Sequence, residues 1–495
     1  MNDDKQKILL CGATQEFVNN TALLNNYKIL AICENEPEKQ GRILNYKDEI
    51  LFTIKLEESS KFDYDLIIAA VPDLSPSNVI LQKLLTTNLV DHRKLRVIFN
   101  GDLIGITKTL NTADEIMSEK RPKLFVDVSS ISQRDAKTGV QRVVRNIFSN
   151  MHSIINDDVM AVQWSQTSMA TSRKFERYLQ NKENDYTEYR LKFEPGDKIL
   201  ILDAIWCGPH NYEYLTEETT KGNLKTYTVI YDLIPIRSYS ELIKSYNPFI
   251  EFALKSSNAI ICISKTVSEE IAEYYNEHKL QRDKPLEIYY FHLGFEMETK
   301  VGTVRDEIKN FVNKSTTFLM VGTLLSHKNY VTVLKTFQKI IDQNPEESMQ
   351  LLIIGKNGWD NQEFINLYAS DNRFKDRVLW IQNGSDEELQ WAYQNCEAFI
   401  FASLIEGYGL PIAEAAHFGL PIICSDIPIF HEVAGDNAIY FSPLDVEMLK
   451  NILLDWNNLK NTVDSSKIKL YTWRECAQEI LDIIDDKVEP YKILD

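Results

Sequence analysis

Glu406 and Glu414 bracket the run Gly407-Tyr408-Gly409-Leu410-Pro411, a glycine-rich turn with an acid at each end. Ionised carboxylates only accept hydrogen bonds, so two of them in one pocket suit a ligand rich in hydroxyls. Backbone N–H groups in a glycine turn that opens a helix suit phosphate. Together they describe a nucleotide carrying a sugar: one acid on the sugar, one on the ribose, and the amides of Gly407 to Leu410 on the phosphates between. Lys328 follows Val321-Gly322-Thr323 in a second turn and offers a compact positive charge for a diphosphate. Gly322, Thr323 and Asn329 of that turn complete the candidate nucleotide contacts.

The elements around these residues can be read locally. Ala398 to Phe401 is an apolar run fit for a buried strand, and Ser403 to Gly409 is a polar loop. Pro411 suits the first turn of a helix that runs to about Phe418, with Glu414 in its first turn. Gly419 closes it and Leu420 to Cys424 begin another strand. Upstream, Thr317 to Val321, Leu351 to Ile354 and Val378 to Ile381 read as strands, and Asp386 to Asn395 and Trp473 to Ile484 as helices. His327, beside Lys328, is expected to be partly protonated at neutral pH.

Residues 120–300 repeat an α/β pattern. Leu124-Phe125-Val126-Asp127-Val128 is a strand, and a helix follows with Val140, Val143, Val144, Ile147 and Phe148 as its buried stripe. Gln141, Arg142 and Arg145 fall off that stripe. Strands at Lys198 to Leu202, Tyr227 to Tyr231 and Ala259 to Ile263 end in Asp203, Asp232 and Ser264. Ligands of open α/β sheets bind beyond the carboxyl ends of the strands, which makes Asp232 a candidate for sugar or acceptor hydroxyls. Capping of the following turn is the plainer role for it.

Residues 1–119 read as a small parallel Rossmann-like module with strands at Lys7 to Cys11, Tyr27 to Cys33, Asp65 to Val71 and Leu95 to Phe99. Its phosphate turn, Cys11-Gly12-Ala13-Thr14-Gln15-Glu16, has one glycine where a dinucleotide fingerprint has three. Asp63-Tyr64-Asp65 is read as charges flanking a strand, with no metal assigned. The polar run Asn111 to Pro122 marks the boundary, and residues 301–495 form the third domain.

At 495 residues the chain exceeds one core. A net charge of -18 argues against nucleic acid and against broad adhesion to anionic lipid. No apolar run reaches the ~18 residues that span a bilayer, and the polar start is no signal peptide. The expected location is cytoplasmic, with room for peripheral contact at the inner membrane face. The seven cysteines are scattered and never spaced Cys-x-x-Cys, as in a reducing compartment.

Glu406-Gly407-Tyr408-Gly409-Leu410-Pro411 with Glu414-Ala415 resembles the donor signature of retaining glycosyltransferases of family 4. Thr138-Gly139-Val140-Gln141-Arg142-Val143-Val144-Arg145 resembles the acceptor-domain signature of bacterial members that build surface glycans, which implies that Gly139 and Arg142 approach the donor diphosphate. Tyr231-Asp232-Leu233-Ile234-Pro235 is similar to the family's His-Asp-Leu-Ile-Pro, with tyrosine for histidine, and His327-Lys328-Asn329 stands where Arg-Lys-Asn is usual. The resemblance implies a GT-B fold, two Rossmann-like domains facing across a cleft, with the last helix crossing back to the first of them. It also implies metal-independent transfer without a cofactor. The donor is a nucleotide sugar, GDP-mannose first and UDP-N-acetylhexosamine second, and the acceptor a glycan, lipid-linked or protein hydroxyl. Glu406, Lys328 and Asp232 would be catalytic. A sugar-nucleotide epimerase of the same fold and a non-catalytic adaptor of a glycan-assembly complex are the alternatives; a glycoside hydrolase would also use two carboxylates but lacks the phosphate turn.

Overall fold

The computed structural model describes residues 5–11, 28–33, 43–46, 49–54, 64–70, 95–99, 102–105, 122–164, 169–179, 191–204, 206, 212–280, 282–297 and 302–495. The turn at Gly12, Asp63, most of the boundary run at Asn111 and Cys207 lie outside these residues. Two compact units divide the chain, Met1–Tyr227 and Thr228–Asp495.

The first unit opens with a seven-stranded sheet in the order Ile43–Tyr46, Glu49–Ile54, Lys28–Cys33, Lys7–Cys11, Leu66–Ala70, Leu95–Phe99, Asp102–Gly105. Its centre is parallel, and Ile8, Leu9, Leu10, Ile67 and Ile68 are wholly buried. Strands covered on both faces become unbroken apolar runs in this way. The edges depart from the expected parallel sheet: both outer pairs are antiparallel. Links of two residues can close only a hairpin, since a parallel return needs a crossover.

The same unit then places Met169–Thr171, Val159–Trp164, Leu124–Asp127 and Asp197–Ile201 side by side. The helix Gly139–Ile155 starts on a capping box formed by Thr138 and Gln141 and buries Val143, Val144, Ile147, Phe148 and Met151. Gln141 is buried too, contrary to its expected place off the stripe. Its side chain closes the capping box and its Nε2 donates to the Arg134 carbonyl at 2.7 Å, so its polar atoms are satisfied inside.

In the second unit Leu224–Ile230, which carries the division point, is followed in sheet order by Ala259–Cys262, Leu286–Tyr290 and Lys492–Leu494. A six-stranded parallel sheet follows, in the order Val378–Ile381, Gln350–Ile354, Thr317–Val321, Ala398–Phe401, Ile422–Ser425, Ile439–Phe441. Alternate residues of its strands enter two cores. Leu319, Leu352, Phe399 and Phe401 face one, and Phe318, Met320, Leu351, Ile353 and Ile400 the other. The helix Trp473–Ile484 returns to the segment after Leu286–Tyr290. Phe295 N–H donates to the Tyr471 carbonyl at 2.7 Å, and a side chain at Gly294 would meet the Trp473 backbone at 2.6 Å. Among the described residues no helix is long and apolar enough to cross a membrane.

Candidate functional site

The loop after Ala398–Phe401 takes its shape from two glycines. Gly409 has φ 100° and ψ 50°, a left-handed conformation that side chains disfavour, and it turns the chain into the helix Leu410–His417 with Pro411 in its first turn. A Cβ on Gly407 would lie 2.3 Å from the Tyr231 carbonyl oxygen and 3.2 Å from the Asp232 Cβ. Ser264 Oγ fixes the same residue by donating to its carbonyl at 2.9 Å. The loop is therefore seated on the carboxyl ends of Leu224–Ile230 and Ala259–Cys262.

Glu406, buried in this loop, accepts from Ser403 Oγ at 2.7 Å on Oε1, and the Lys328 ammonium contacts the same oxygen. Lys328 arrives on a tight turn, Ser326–Lys328, that ends with Asn329 in the left-handed region at φ 56°. Asn329 is tied into the framework. Its Nδ2 donates to the carbonyls of Ala402 at 3.0 Å and Pro443 at 2.6 Å, and its Oδ1 accepts from Thr332 at 2.7 Å. It thus locks the lysine turn to the glutamate loop.

Asp232 faces the pair. Burial lifts its carboxyl to about 6, opposed by the Ile234 N–H it accepts at 3.0 Å; the Glu406 charge raises it further and Lys328 draws it down. Hence it caps the turn and lies within electrostatic reach of both charges. His327 departs from expectation. Burial first, then the neighbouring Lys328 charge, push its pKa down to about 4, so the ring is neutral at pH 7. Its Nδ1 lies 2.5 Å from the Tyr239 hydroxyl.

Glu414 stands one turn deeper in the helix than expected. It is buried, and Oε2 accepts from the Tyr393 hydroxyl at 2.8 Å. Gly322 has φ 128°, and its carbonyl accepts from Tyr330 at 2.8 Å and fills the space where Gly355 would carry a Cβ. Thr323 is exposed, Leu410 half-buried, and Tyr408 buried edge-on to His292. Gly139 and Arg142 belong to the first unit, at the start of Gly139–Ile155, with open space beside the Gly139 Cα.

Three further residues have no distinctive sequence signal. Tyr393 reaches Glu414 from another helix, and Tyr239 reaches His327 from a loop far upstream. Glu432 accepts from the N–H groups of Lys265 and Thr266 at 2.7 Å each and so occupies the start of the helix Lys265–Glu277. In the first unit Asp203 accepts from Ile131 and Ala204 N–H at 2.7 Å each and is lifted to about 6 by burial. Asp127, held by Ser129 on Oδ1, has no hydrogen-bond partner on Oδ2, and burial with the Asp203 charge raises it well above the carboxylate range. Among the described residues no group of three His, Cys, Asp or Glu is placed to hold a metal ion.

Residues 304–467 match the family described as Glycosyl transferases group 1. The serotype-specific mannosyltransferase WbdA of Escherichia coli is 28% identical over 415 residues, covering 80% of this chain and 50% of that protein. The O-antigen chain mannosyltransferase RfbU of Salmonella typhimurium is 27% identical over 293 residues, covering 57% of this chain and 74% of that one. The chain spans about half the length of the WbdA relatives it matches. Among solved structures, Anabaena HepE in complex with UDP and glucose superposes with a TM-score of 0.52 at 13% identity, over 74% of this chain and 100% of that one. Residues 304–467 thus match the group 1 glycosyl transferases, in a protein with the GT-B fold.

Proposed function

We propose that the protein is a retaining hexosyltransferase that moves mannose from GDP-mannose to a hydroxyl of a bacterial surface glycan, as a free or lipid-linked chain, at the cytoplasmic face of the membrane. The observation that carries this reading is the Lys328–Glu406 contact beside the Gly407–Leu410 turn: a cation, a sugar-binding acid and a helix start converge on one point. The mannosyltransferase names of the relatives support the sugar and the glycan.

In this mechanism the donor diphosphate takes the Lys328 ammonium and the amides at the start of Leu410–His417. Negative charge grows on the leaving phosphate as the glycosidic C–O bond breaks, and fixed positive groups stabilise it where it forms. Glu406, released from Lys328, accepts hydrogen bonds from the sugar hydroxyls and faces the oxocarbenium-like carbon. The acceptor hydroxyl attacks from the face that the diphosphate leaves, and its proton passes to the departing phosphate oxygen. Glu414 takes the ribose hydroxyls. Asp232 holds the incoming hydroxyl, and no metal or cofactor is required.

The test is a panel of GDP- and UDP-sugars, read first as thermal stabilisation and then as transfer to a mannose oligosaccharide with the product anomer read by NMR. A ligand at ~100 times its Kd adds ~2.7 kcal/mol. GDP-mannose should stabilise and yield an α-linked product. Turnover of donor to an isomer without acceptor would favour the epimerase, and stabilisation without any turnover the adaptor.

A further inference from the structure

A large aromatic side chain sits exposed beside the donor turn. Trp359 is 58% exposed, unlike the other aromatic rings of this region. Its ring packs on Tyr239 with centroids 4.5 Å apart, and Tyr239 is itself fixed by its 2.5 Å hydrogen bond to His327, the residue next to Lys328. The backbone under the indole is tightly held. A Cβ at Gly358 would lie 2.0 Å from the Leu324 carbonyl, and Leu324 N–H donates to the Lys356 carbonyl at 2.9 Å. An indole presented to water on so constrained a loop is a platform rather than a loose surface residue.

Hydrogen-bonding groups surround it. Asn361 Nδ2 donates to Asn357 Oδ1 at 2.5 Å, leaving further amide capacity on both, and the Asp360 carboxylate lies close enough to raise the pKa of Tyr239 and oppose the fall in that of His327. Ser326, Tyr330, Asp360, Asn361 and Gln362 also line a small cavity next to the platform. A flat apolar face rimmed by amides and a carboxylate matches a pyranose ring, which has an apolar C–H face and equatorial hydroxyls. A phosphate or an acidic peptide would be repelled by Asp360.

We infer that Trp359, with Asn357, Asp360 and Asn361, forms a subsite for a sugar ring of the acceptor chain, one step from the reacting hydroxyl. The inference rests on the glycosyltransferase reading, since it assigns the subsite's ligand as acceptor. The site contributes affinity for oligosaccharide and does not touch the donor.

The test uses an α-linked mannose trisaccharide and the full chain. Saturation-transfer NMR on the wild type should show contact with one terminal ring, and Trp359→Ala should abolish it while GDP-mannose stabilises both proteins equally. In transfer assays Trp359→Ala should raise the trisaccharide KM about tenfold, equivalent to ~1.4 kcal/mol, with donor KM and kcat within about twofold. Trp359→Phe should recover most of the loss, and Asn361→Ala should give a smaller rise. No trisaccharide signal on the wild type, or an unchanged trisaccharide KM in Trp359→Ala, overturns the subsite. A raised donor KM overturns it by placing Trp359 on the nucleotide. Trisaccharide binding without transfer from any nucleotide sugar would sink the enzyme reading and leave a glycan-binding site standing.

Discussion

Two groups of buried acids sit at or just beyond strand ends in this protein, and one of them has the Lys328 ammonium beside it. In the second unit Glu406 and Asp232 share surroundings with Lys328, so the acids retain a cation within reach. In the first unit Asp127 and Asp203 have backbone N–H groups and Ser129 around them, and burial lifts both carboxyls. A cation keeps an acid ionised and ready to accept hydrogen bonds from a ligand. Without one, burial acts unopposed by a cation, and Asp127 is raised well above the carboxylate range, although Asp203 and Asp232 both reach about 6. The Lys328 ammonium draws Asp232 down, whereas the Asp203 charge pushes Asp127 up.

The largest expected effect tests the cation-backed acid. Glu406→Gln keeps the shape and removes the charge; kcat should fall ~10²–10³-fold while donor KM changes little. Equal losses in both would mean that Glu406 only binds. Next in size is a stability change in the first unit. Asp203 titrates near 6 when folded against 3.8 as its ordinary value, so the folded state binds the proton more tightly. Stability is full below about 4 and declines as pH rises through about 6, by about 3 kcal/mol for this group alone. Asp203→Asn, which cannot titrate, should flatten that decline in thermal scans from pH 4 to 8, and an unchanged slope would contradict the raised Asp203 carboxyl. The rate of transfer should rise with pH through about 6 as Asp232 loses its proton. Lys328→Met should move that limb upward, because the ammonium lowers this carboxyl, and Asp232→Asn should remove it. The smallest effect belongs to Tyr393→Phe, which deprives Glu414 of one hydrogen bond; donor KM should shift about fivefold, as for ~1 kcal/mol.

The strand, glycine turn and helix at residues 398–417 were legible because glycine, proline and an apolar run signal their roles within a few positions. Gln141 was misplaced because helical periodicity counts polarity and misses a capping box that satisfies a polar side chain inside. Val159–Trp164 and Leu286–Tyr290 passed unnoticed: short strands with glutamine or glutamate among apolar residues lack a clean period. The His327 charge was misjudged for another reason. Its neutrality comes first from burial, supplied by segments distant in sequence, and then from the charge of Lys328 beside it. Tyr393 and Glu432 were silent on the same grounds.

The last helix and strand give the second unit a mechanical property. The chain leaves the Leu286–Tyr290 region once near residue 302 to build the six-stranded sheet, and comes back through Tyr471 and Trp473 to pair Lys492–Leu494 with Leu286–Tyr290. Two polypeptide crossings, held side by side by the Phe295 N–H bond to the Tyr471 carbonyl, connect the two sheets of this unit. Cutting either crossing alone therefore leaves the two sheets of the unit covalently joined through the other.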